Sequence, residues 1–200
     1  MTWSKRLFDL VIAISLTIIL APFIAIIAIL ILLKDGRPIF YISERMKTPI
    51  EGFSLYKFRT MKTVKIDSGV SGGDKAFRIT TTGRFLRDKR VDEFPQLLNV
   101  IKGDISFVGP RPPLRQYVEN HPEIYSKVLV SRPGITGLAS IVFHAHEERL
   151  LARCKSTDET NEIYSRICIP RKAHLDLIYQ HHSSLCYDAI LMFKTALRRS

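Results

Sequence analysis

Residues Arg87–Gly103 read R-D-K-R-V-D-E-F-P-Q-L-L-N-V-I-K-G. Apolar residues recur there at i, i+3, i+4 and i+7, which predicts the buried face of a helix: Phe94, Leu97, Leu98 and Ile101. Pro95 has no N–H to donate and fits only the first turn, so the helix is predicted to start near Val91 and to stop at Gly103. Helical geometry places three polar residues away from the apolar face: Asp92, Gln96 and Asn99.

Two acidic residues, Asp92 and Glu93, fall at this predicted helix start, and Arg87, Lys89 and Arg90 lie just upstream. The positive end of a helix dipole stabilises carboxylates there. An ionised acidic pair in a basic setting suits a nucleophile or a metal ligand acting on a phosphate. The alternative is a pair of ordinary first-turn acids, and this segment alone leaves both interpretations open.

The composition favours one modest domain with anionic partners. The chain has 200 residues, 46% of them hydrophobic, and a formal net charge of +11. Such an excess of positive charge indicates nucleic acid, anionic lipid or phosphorylated substrates. The three cysteines are widely spaced and form no C-x-x-C, so we expect reduced, mostly structural thiols rather than a disulfide framework or a zinc ribbon.

An uncharged segment, Leu10–Leu33, is long enough to span a bilayer, which needs about 20 apolar residues. A secretory signal has a shorter apolar core, of roughly 7–15 residues. Pro22 lies in mid-segment and predicts a kink, because it removes one helical hydrogen bond.

Basic residues flank both ends of this segment, Lys5 and Arg6 before it and Lys34 and Arg37 after it. The positive-inside rule places both ends on the cytoplasmic side. A re-entrant helix over residues 1–36 accounts for the kink and for both flanks, and residues 37–200 would then form the cytoplasmic domain. A single span with a mild kink is the alternative that the sequence leaves open.

A β-hairpin is predicted next, from Pro38–Arg45 and Phe53–Met61, with turn residues between them. Lys57 and Arg59 would share one strand face, as a solvated surface or an anion site. The polar segment Lys62–Thr82 is predicted to be a mobile loop that could act as a lid.

A short helix is expected over Gly83–Arg90, and Gly103–Pro113 and Arg132–Gly137 are predicted to be stiff turns. Prolines on both sides of Arg111 would fix its guanidinium for phosphate or carboxylate recognition, unless that side chain simply faces water.

Further helices are predicted towards the C-terminus, over Leu114–Val130, His144–Lys155, Asp158–Ile169 (broken at Pro170), Leu175–Tyr179 and Tyr187–Leu197. His144 and His146 would point about 200° apart on a helix, so a shared metal is not expected. The basic end Arg198-Arg199 fits a membrane surface. The sequence contains neither a P-loop nor G-x-G-x-x-G.

Six segments together carry a family resemblance, in addition to the apolar helix with its central proline: Lys57–Met61, Gly83–Arg87, Asp92–Leu97, Asn99–Asp104, Ser106–Pro112 and Arg132–Gly137. In this order and spacing, the chain resembles the bacterial sugar transferases, the monotopic polyprenyl-phosphate phosphoglycosyl transferases that begin glycan assembly. The resemblance implies an α+β fold in which a re-entrant membrane helix joins a small, mostly helical catalytic domain. That domain would carry the β-hairpin and lie on the inner membrane face.

The resemblance also implies a reaction, in which a phospho-sugar passes from a UDP-sugar to polyprenyl (undecaprenyl) phosphate and UMP is released. Asp92 would form a covalent aspartyl-phosphosugar intermediate, and Glu93 would act near the metal or deprotonate the lipid phosphate. Mg²⁺ is the implied cofactor, held by these two acids. The substrate-binding positions within the matching motifs are Lys57, Arg59, Arg87, Arg111 and Pro112, of which Arg87 and Arg111 match positions that contact the nucleotide.

The implied setting is the cytoplasmic face of the bacterial inner membrane, in exopolysaccharide or glycoconjugate assembly, with anionic lipid as a further partner. A homodimer is left open. Nucleic acid is not expected, because a basic stripe with interleaved aromatic residues is not clear. The alternatives are a non-enzymatic membrane-anchored binder and a polyprenyl-phosphate phosphatase.

The sequence departs from the family pattern after Gly137, where the family commonly continues W-Q-V-x-G-R and this chain has Leu138–Phe143. The arginine of that motif is therefore missing, and the replacements considered are Arg149, Arg153, Arg166 and Arg171. Ala21-Pro22 stands where some relatives have Ser-Pro. These departures leave the identity of the sugar open.

Overall fold

The computed structural model of the chain describes residues 1–64, 69–70 and 72–197. The α-helices there are α1 (Trp3–Lys34), α2 (Thr81–Asp88), α3 (Gln96–Lys102), α4 (Arg115–Asn120), α5 (Pro122–Val128), α6 (Leu138–Leu151), α7 (Thr157–Ile163), α8 (Ile169–His182) and α9 (Leu185–Leu197). The strands are β1 (Phe40–Met46), β2 (Gly52–Phe58), β3 (Ser106–Val108) and β4 (Gly134–Thr136). The protein is therefore α+β and mostly helical, as predicted.

The predicted hairpin is confirmed as an antiparallel pair of β1 and β2, in which Phe40 lies opposite Phe58 and Met46 opposite Gly52. The short helix expected ahead of the acidic pair is confirmed as α2. Thr80 caps it, since its hydroxyl accepts a hydrogen bond from the Gly83 backbone N–H at 2.9 Å. β2 covers one side of α3, and both β2 and α2 pack against the turn that carries the acids.

The apolar segment is one helix, α1, which is unbroken at Pro22. By length and composition it could cross a membrane. Asp9, Ala13 and Ile31 on one side are buried against the rest of the protein, while most of the other apolar side chains are exposed. The predicted kink stays a prediction.

The acidic pair does not begin the long helix, and the prediction of a start near Val91 is wrong. Val91–Glu93 forms a 3₁₀ turn, and α3 begins at Gln96, directly after Pro95. Gln96 and Asn99 are buried rather than facing solvent, whereas Leu98 is 49% exposed. The reason is that α3 packs between α1 on one side and the hairpin on the other.

Asn99 joins α3 to the hairpin through its side-chain amide. The Tyr56 backbone N–H donates to Asn99 Oδ1 at 3.1 Å, and Asn99 Nδ2 donates to the Ser54 carbonyl at 2.7 Å and to Asp104 Oδ2 at 2.9 Å. All of these groups satisfy one another in a buried setting. A polar residue on the supposed solvent face of the helix is therefore the link that docks β2.

The two stiff turns contain a small parallel sheet that the sequence did not reveal, in which Ser106 of β3 pairs with Gly134 of β4. Strands of three residues are too short to show a period of two. Gly109 follows β3, and a Cβ there would lie 2.2 Å from the Arg132 carbonyl oxygen. Glycine thus permits the close backbone approach that fixes the base of the loop carrying Arg111.

The C-terminal half is helical, with boundaries that differ from those predicted. The predicted helix Leu114–Val130 is two helices, α4 and α5, which meet at His121. α6 starts six residues before His144, at Leu138. Pro170 does not end a helix but lies in the first turn of α8, where its missing N–H costs little. A π-helical segment, Tyr164–Cys168, joins α7 to α8.

Part of the predicted mobile loop lies outside the described residues, at 65–68 and 71, as does the basic end at 198–200. Gly73–Arg78 is a 3₁₀ helix rather than irregular loop. Asp74 within it accepts hydrogen bonds from the Thr157 and Thr160 hydroxyls at 3.1 and 3.2 Å, so this segment is attached to α7. The three cysteines are free thiols, as expected.

Candidate active site

The acidic pair lies in the 3₁₀ turn between α2 and α3. Arg90, just before it, adopts a left-handed conformation with φ 54°. A non-glycine residue in that region costs about 1–3 kcal/mol and persists where its surroundings hold it. The turn lets Asp92 and Glu93 follow α2 directly and brings both beneath the hairpin, where Asp92 is 9% exposed.

Glu93 is held between two cations. Its Oε1 accepts a hydrogen bond from Lys57 Nζ at 2.6 Å and one from Arg111 Nη2 at 2.8 Å. Burial by itself would raise the pKa of the Glu93 carboxyl, but Lys57 and then Arg111 outweigh it and hold that pKa well below its usual range. Glu93 therefore stays ionised at neutral pH.

Asp92 differs from its neighbour although both are acids in one turn. Burial, with the negative charge of Glu93 adding to it, raises the pKa of the Asp92 carboxyl, and Lys57, Arg87 and Arg111 oppose that rise. A carboxylate stripped of water but surrounded by cations suits attack on an anionic phosphorus centre.

Arg87 approaches the pair from α2. Its Nε donates to the Thr60 hydroxyl at 2.8 Å, just beyond the end of β2. A Cβ at Gly83 would lie 2.0 Å from the Thr60 carbonyl oxygen, so glycine is needed for α2 to pack this closely. The motif residues of α2 and of the hairpin thus combine to direct one guanidinium towards Asp92.

The structure brings five of the predicted site residues together (Lys57, Arg87, Asp92, Glu93 and Arg111) and separates Arg59 and Pro112 from them. Arg59 lies one residue beyond the end of β2, and its side chain does not join Lys57 at the acids. Its Nη2 donates to the Asp35 and Gly36 carbonyls at 2.6 and 2.8 Å, at the C-terminus of α1. This contact satisfies helix-terminal carbonyls and favours a structural role for Arg59.

The substrate-binding role of Pro112 stays a prediction. This proline is buried, and its carbonyl accepts a hydrogen bond from Arg45 Nη1 at 3.3 Å. Arg45 in β1 thereby ties the loop to the hairpin. The prolines around Arg111 do stiffen the loop as expected, and Arg111 bonds to Glu93 rather than facing only water.

The acidic pair fits magnesium held jointly with a substrate. No cluster of three or more His, Cys, Asp or Glu side chains that could hold a metal occurs in residues 1–64, 69–70 and 72–197. Mg²⁺ is commonly bound by only one or two carboxylates, together with substrate phosphates and water. Adjacent carboxylates at Asp92 and Glu93 match that type of donor set.

A second polar group lies beside Arg111 and was not predicted from the sequence. Lys172 Nζ of α8 donates to both carboxylate oxygens of Glu147 on α6, at 3.0 and 3.1 Å, and to the Tyr164 hydroxyl at 3.3 Å. The Glu147 charge also acts on Arg111 and raises its pKa. A lysine that directly follows Arg171, one of the arginines under consideration, carries no pattern that would identify it.

The arginines considered as replacements for the missing one lie elsewhere. Arg149 donates to the Ala145 carbonyl of its own helix, and Arg166 pairs with Glu162 at an exposed surface. Arg153 and Arg171 are exposed. Lys172 is the basic residue of this segment that lines a cavity with Arg111.

Comparison with known proteins identifies the family of the chain. The family model described as bacterial sugar transferase matches residues 1–199. The chain belongs to the bacterial sugar transferase family. The resemblance carried by the six motifs is therefore confirmed.

Relatives within this family are named as sugar transferases. The chain is 43% identical over 137 residues to the "Uncharacterized sugar transferase EpsL" of Bacillus subtilis (strain 168). This match covers 68% of this chain and 67% of that protein. It is 32% identical over 195 residues to the UDP-N-acetylgalactosamine-undecaprenyl-phosphate N-acetylgalactosaminephosphotransferase of Aeromonas hydrophila. This match covers 96% of this chain and 42% of that protein.

A third bacterial sugar transferase relative is the undecaprenyl-phosphate glucose phosphotransferase of Komagataeibacter xylinus, 31% identical over 203 residues. The match covers 98% of this chain and 35% of that protein. The chain thus spans less than half the length of the last two relatives. Both are, by their names, sugar phosphotransferases that use undecaprenyl phosphate.

Proposed function

We propose that this protein transfers a phospho-sugar from a UDP-sugar to polyprenyl (undecaprenyl) phosphate, releasing UMP, as the first membrane step of bacterial exopolysaccharide or glycoconjugate assembly. The observation that carries the proposal is the pair of adjacent buried acids with opposite pKa shifts. Asp92 is a desolvated carboxylate, and Glu93 is an ion clamped by Lys57 and Arg111. The names of the relatives support the same class of reaction.

In the first displacement, an Asp92 carboxylate oxygen attacks the phosphorus that carries the sugar. A new O–P bond forms, the bond to the bridging oxygen of the diphosphate breaks, and UMP leaves with that oxygen and its electron pair. The enzyme then holds the phospho-sugar as an aspartyl phosphate. Charge builds on the leaving UMP, and the cations around the acids are placed to stabilise it.

Arg111 and Arg87 both contribute to binding the diphosphate. Arg111 is 41% exposed at its side chain and contacts Glu93 through one nitrogen, so its remaining donors are available to phosphate oxygens. Arg87 is fixed by Thr60 on the side of Asp92. Asp92 and Glu93 would hold Mg²⁺, which would supply further charge neutralisation.

In the second displacement, an oxygen of polyprenyl phosphate attacks the phosphorus of the aspartyl phosphate. The O–P bond to Asp92 breaks and its carboxylate is restored, leaving a sugar diphosphate on the lipid. Glu93 is an unsuitable proton acceptor while Lys57 and Arg111 hold its pKa low. We therefore assign Glu93 the role of a permanent negative charge that orients both cations and contributes to the metal site, rather than that of a base.

The placement of α1 supports a membrane-associated protein with both helix ends on one face. At its N-terminal end, Arg6 donates to the Val100 and Ile101 carbonyls at 2.6 and 2.8 Å. At its C-terminal end, the carbonyls of Asp35 and Gly36 bind Arg59. A straight span would carry one end about 30 Å across the hydrocarbon core, away from the domain that both ends contact. A re-entrant helix on the cytoplasmic face keeps both sets of contacts.

A test of this proposal follows UMP release from a panel of UDP-sugars with Mg²⁺, with and without polyprenyl phosphate. We expect sustained UMP release only with the lipid acceptor, together with formation of the lipid-linked sugar diphosphate. A phosphatase, the alternative that could also use an aspartyl phosphate, would release inorganic phosphate from polyprenyl phosphate without any donor. That result would replace the proposal.

A further inference from the structure

A small cavity is lined in part by Arg111, and neither Asp92 nor Glu93 lines it. Its volume is about 20 Å³, and it is enclosed by the π-helical segment, α5 and α8. The polar lining residues are Arg111, Tyr125, Tyr164, Lys172 and Asp176. Arg111 therefore borders both the acidic pair and this cavity, and the two spaces are one side chain apart.

The charged groups of the cavity wall are fixed by packing. Lys172 and Asp176 are four residues apart on α8, on the same face of the helix. Lys172 is held by Glu147 and Tyr164, and its ammonium lies 5.1 Å from the centre of the Tyr164 ring. Asp176 is 7% exposed, and burial raises the pKa of its carboxyl to about 7, with Lys172 opposing the rise.

We propose that Asp176, supported by Lys172 and Arg111, forms a subsite for one hydroxyl group of the sugar of the donor and so determines which UDP-sugar is used. This inference rests on the proposed function and names the part of the donor that the cavity takes. A carboxyl group beside a cation can accept a hydrogen bond from a hydroxyl and orient it. The proposed catalytic roles of Asp92 and Glu93 do not use Asp176.

The size of the cavity selects the group that it can hold. A space of about 20 Å³ accommodates roughly one water molecule. A hydroxyl group fits such a space, whereas a uracil ring does not. Because Arg111 is assigned to the diphosphate and the sugar is attached to the phosphorus that Asp92 attacks, the sugar lies next to the group that Arg111 binds. The cavity should therefore discriminate between UDP-sugars that differ in the position or orientation of one hydroxyl.

The decisive variant is Asp176→Asn, which keeps the volume and removes the acid. A second variant, Lys172→Met combined with Glu147→Gln, removes the supporting ion pair without leaving either charge buried alone. The matched control is Asp188→Asn, which makes the same change in an aspartate that is 1% exposed on α9 and bonded to Tyr179. The control reports what loss of any buried carboxylate does to the protein.

The first measurement compares kcat/KM for UDP-glucose, UDP-galactose and their N-acetyl derivatives in the full-length protein with polyprenyl phosphate. We expect Asp176→Asn to change the ratio between the best and the poorest donor by about tenfold or more, the size of one hydrogen bond to a charged group. The ion-pair variant should change the ratio in the same direction. The Asp188→Asn control should lower the amount of active protein but keep the wild-type ratio.

The second measurement does not need turnover. In an Asp92→Asn background, the affinities for UDP and for each UDP-sugar are measured with and without Asp176→Asn. We expect UDP affinity to stay within about twofold while the preferred UDP-sugar binds about tenfold more weakly. Unchanged donor ratios and unchanged UDP-sugar affinity would overturn the subsite even if UMP release is normal. Donor binding without any UMP release by the wild-type protein, with Mg²⁺ and polyprenyl phosphate present, would instead overturn the proposed function.

Discussion

Replacing Glu93 by glutamine is expected to destabilise the protein through the cations that it leaves behind. Lys57 is 17% exposed and loses its 2.6 Å partner, whereas Arg111 is 41% exposed and can turn towards water. Breaking a buried ion pair by removing one partner costs about 3–5 kcal/mol. Because water compensates Arg111, we expect the low end of this range, about 3 kcal/mol.

The assay is thermal unfolding in detergent with a chelator present. A loss of about 3 kcal/mol corresponds to a Tm about 6–12 °C below wild type for a chain of this length. The folded pKa of Glu93 is depressed, so its stabilisation is complete above the pKa of an unfolded glutamate, about 4.3, and is lost as the pH falls below it. The difference in Tm between wild type and Glu93→Gln should therefore be largest near pH 7 and should become smaller below about pH 4.

Two further variants test whether an unpaired buried cation causes the destabilisation by Glu93→Gln. Lys57→Met combined with Glu93→Gln should be more stable than Glu93→Gln alone, because no buried cation then lacks a partner. Glu44→Gln, which breaks an exposed pair with Arg115, should change Tm little. If Glu93→Gln unfolds at the wild-type temperature at pH 7, the contacts of Lys57 and Arg111 with Glu93 do not stabilise the turn as described. The same conclusion follows if the difference in Tm between wild type and Glu93→Gln does not narrow in acid.

Three other predictions concern the donor, the core and the membrane. Arg111→Lys keeps the charge but loses the planar fork, so the KM for the UDP-sugar should rise about tenfold or more; an unchanged KM would place Arg111 outside the donor site. Asn99→Leu should lower the free energy of unfolding by about 2–4 kcal/mol in chemical denaturation, because the Ser54 carbonyl and the Tyr56 N–H lose their partner; wild-type stability would show that water replaces it. Thr2→Cys in sealed vesicles should be labelled only from the cytoplasmic side, and labelling only from the outside would contradict the re-entrant helix.

Sequence patterns predicted the helices and strands that depend on interactions between residues close in the chain. The hairpin follows from β-forming residues around a turn, and α2 follows from Thr80 as a cap. Asp92 and Glu93 were also found, although the expected reason was a helix dipole and the structure has a 3₁₀ turn with Glu93 clamped by cations. The residue types needed for the chemistry were visible even though the geometry that positions them was not.

Features that depend on docking between distant segments could not be predicted. Asn99 is polar and periodic with Gln96, so its burial becomes evident only once the hairpin covers α3. Arg59 was assigned to the site from a family motif, and the strand face that it was predicted to share with Lys57 extended one residue beyond the end of β2. Lys172 and Asp176 meet Arg111 through the packing of α8 against α5, which no spacing in the sequence encodes.

The account depends most directly on Asp92 as a covalent nucleophile. Intact-mass spectrometry of the wild-type protein, incubated with Mg²⁺ and the preferred UDP-sugar but without polyprenyl phosphate, should show an added phospho-sugar. Polyprenyl phosphate should then remove it, and Asp92→Asn should show neither the adduct nor turnover. Sustained turnover by Asp92→Asn, or an adduct that forms on that variant, would contradict the account.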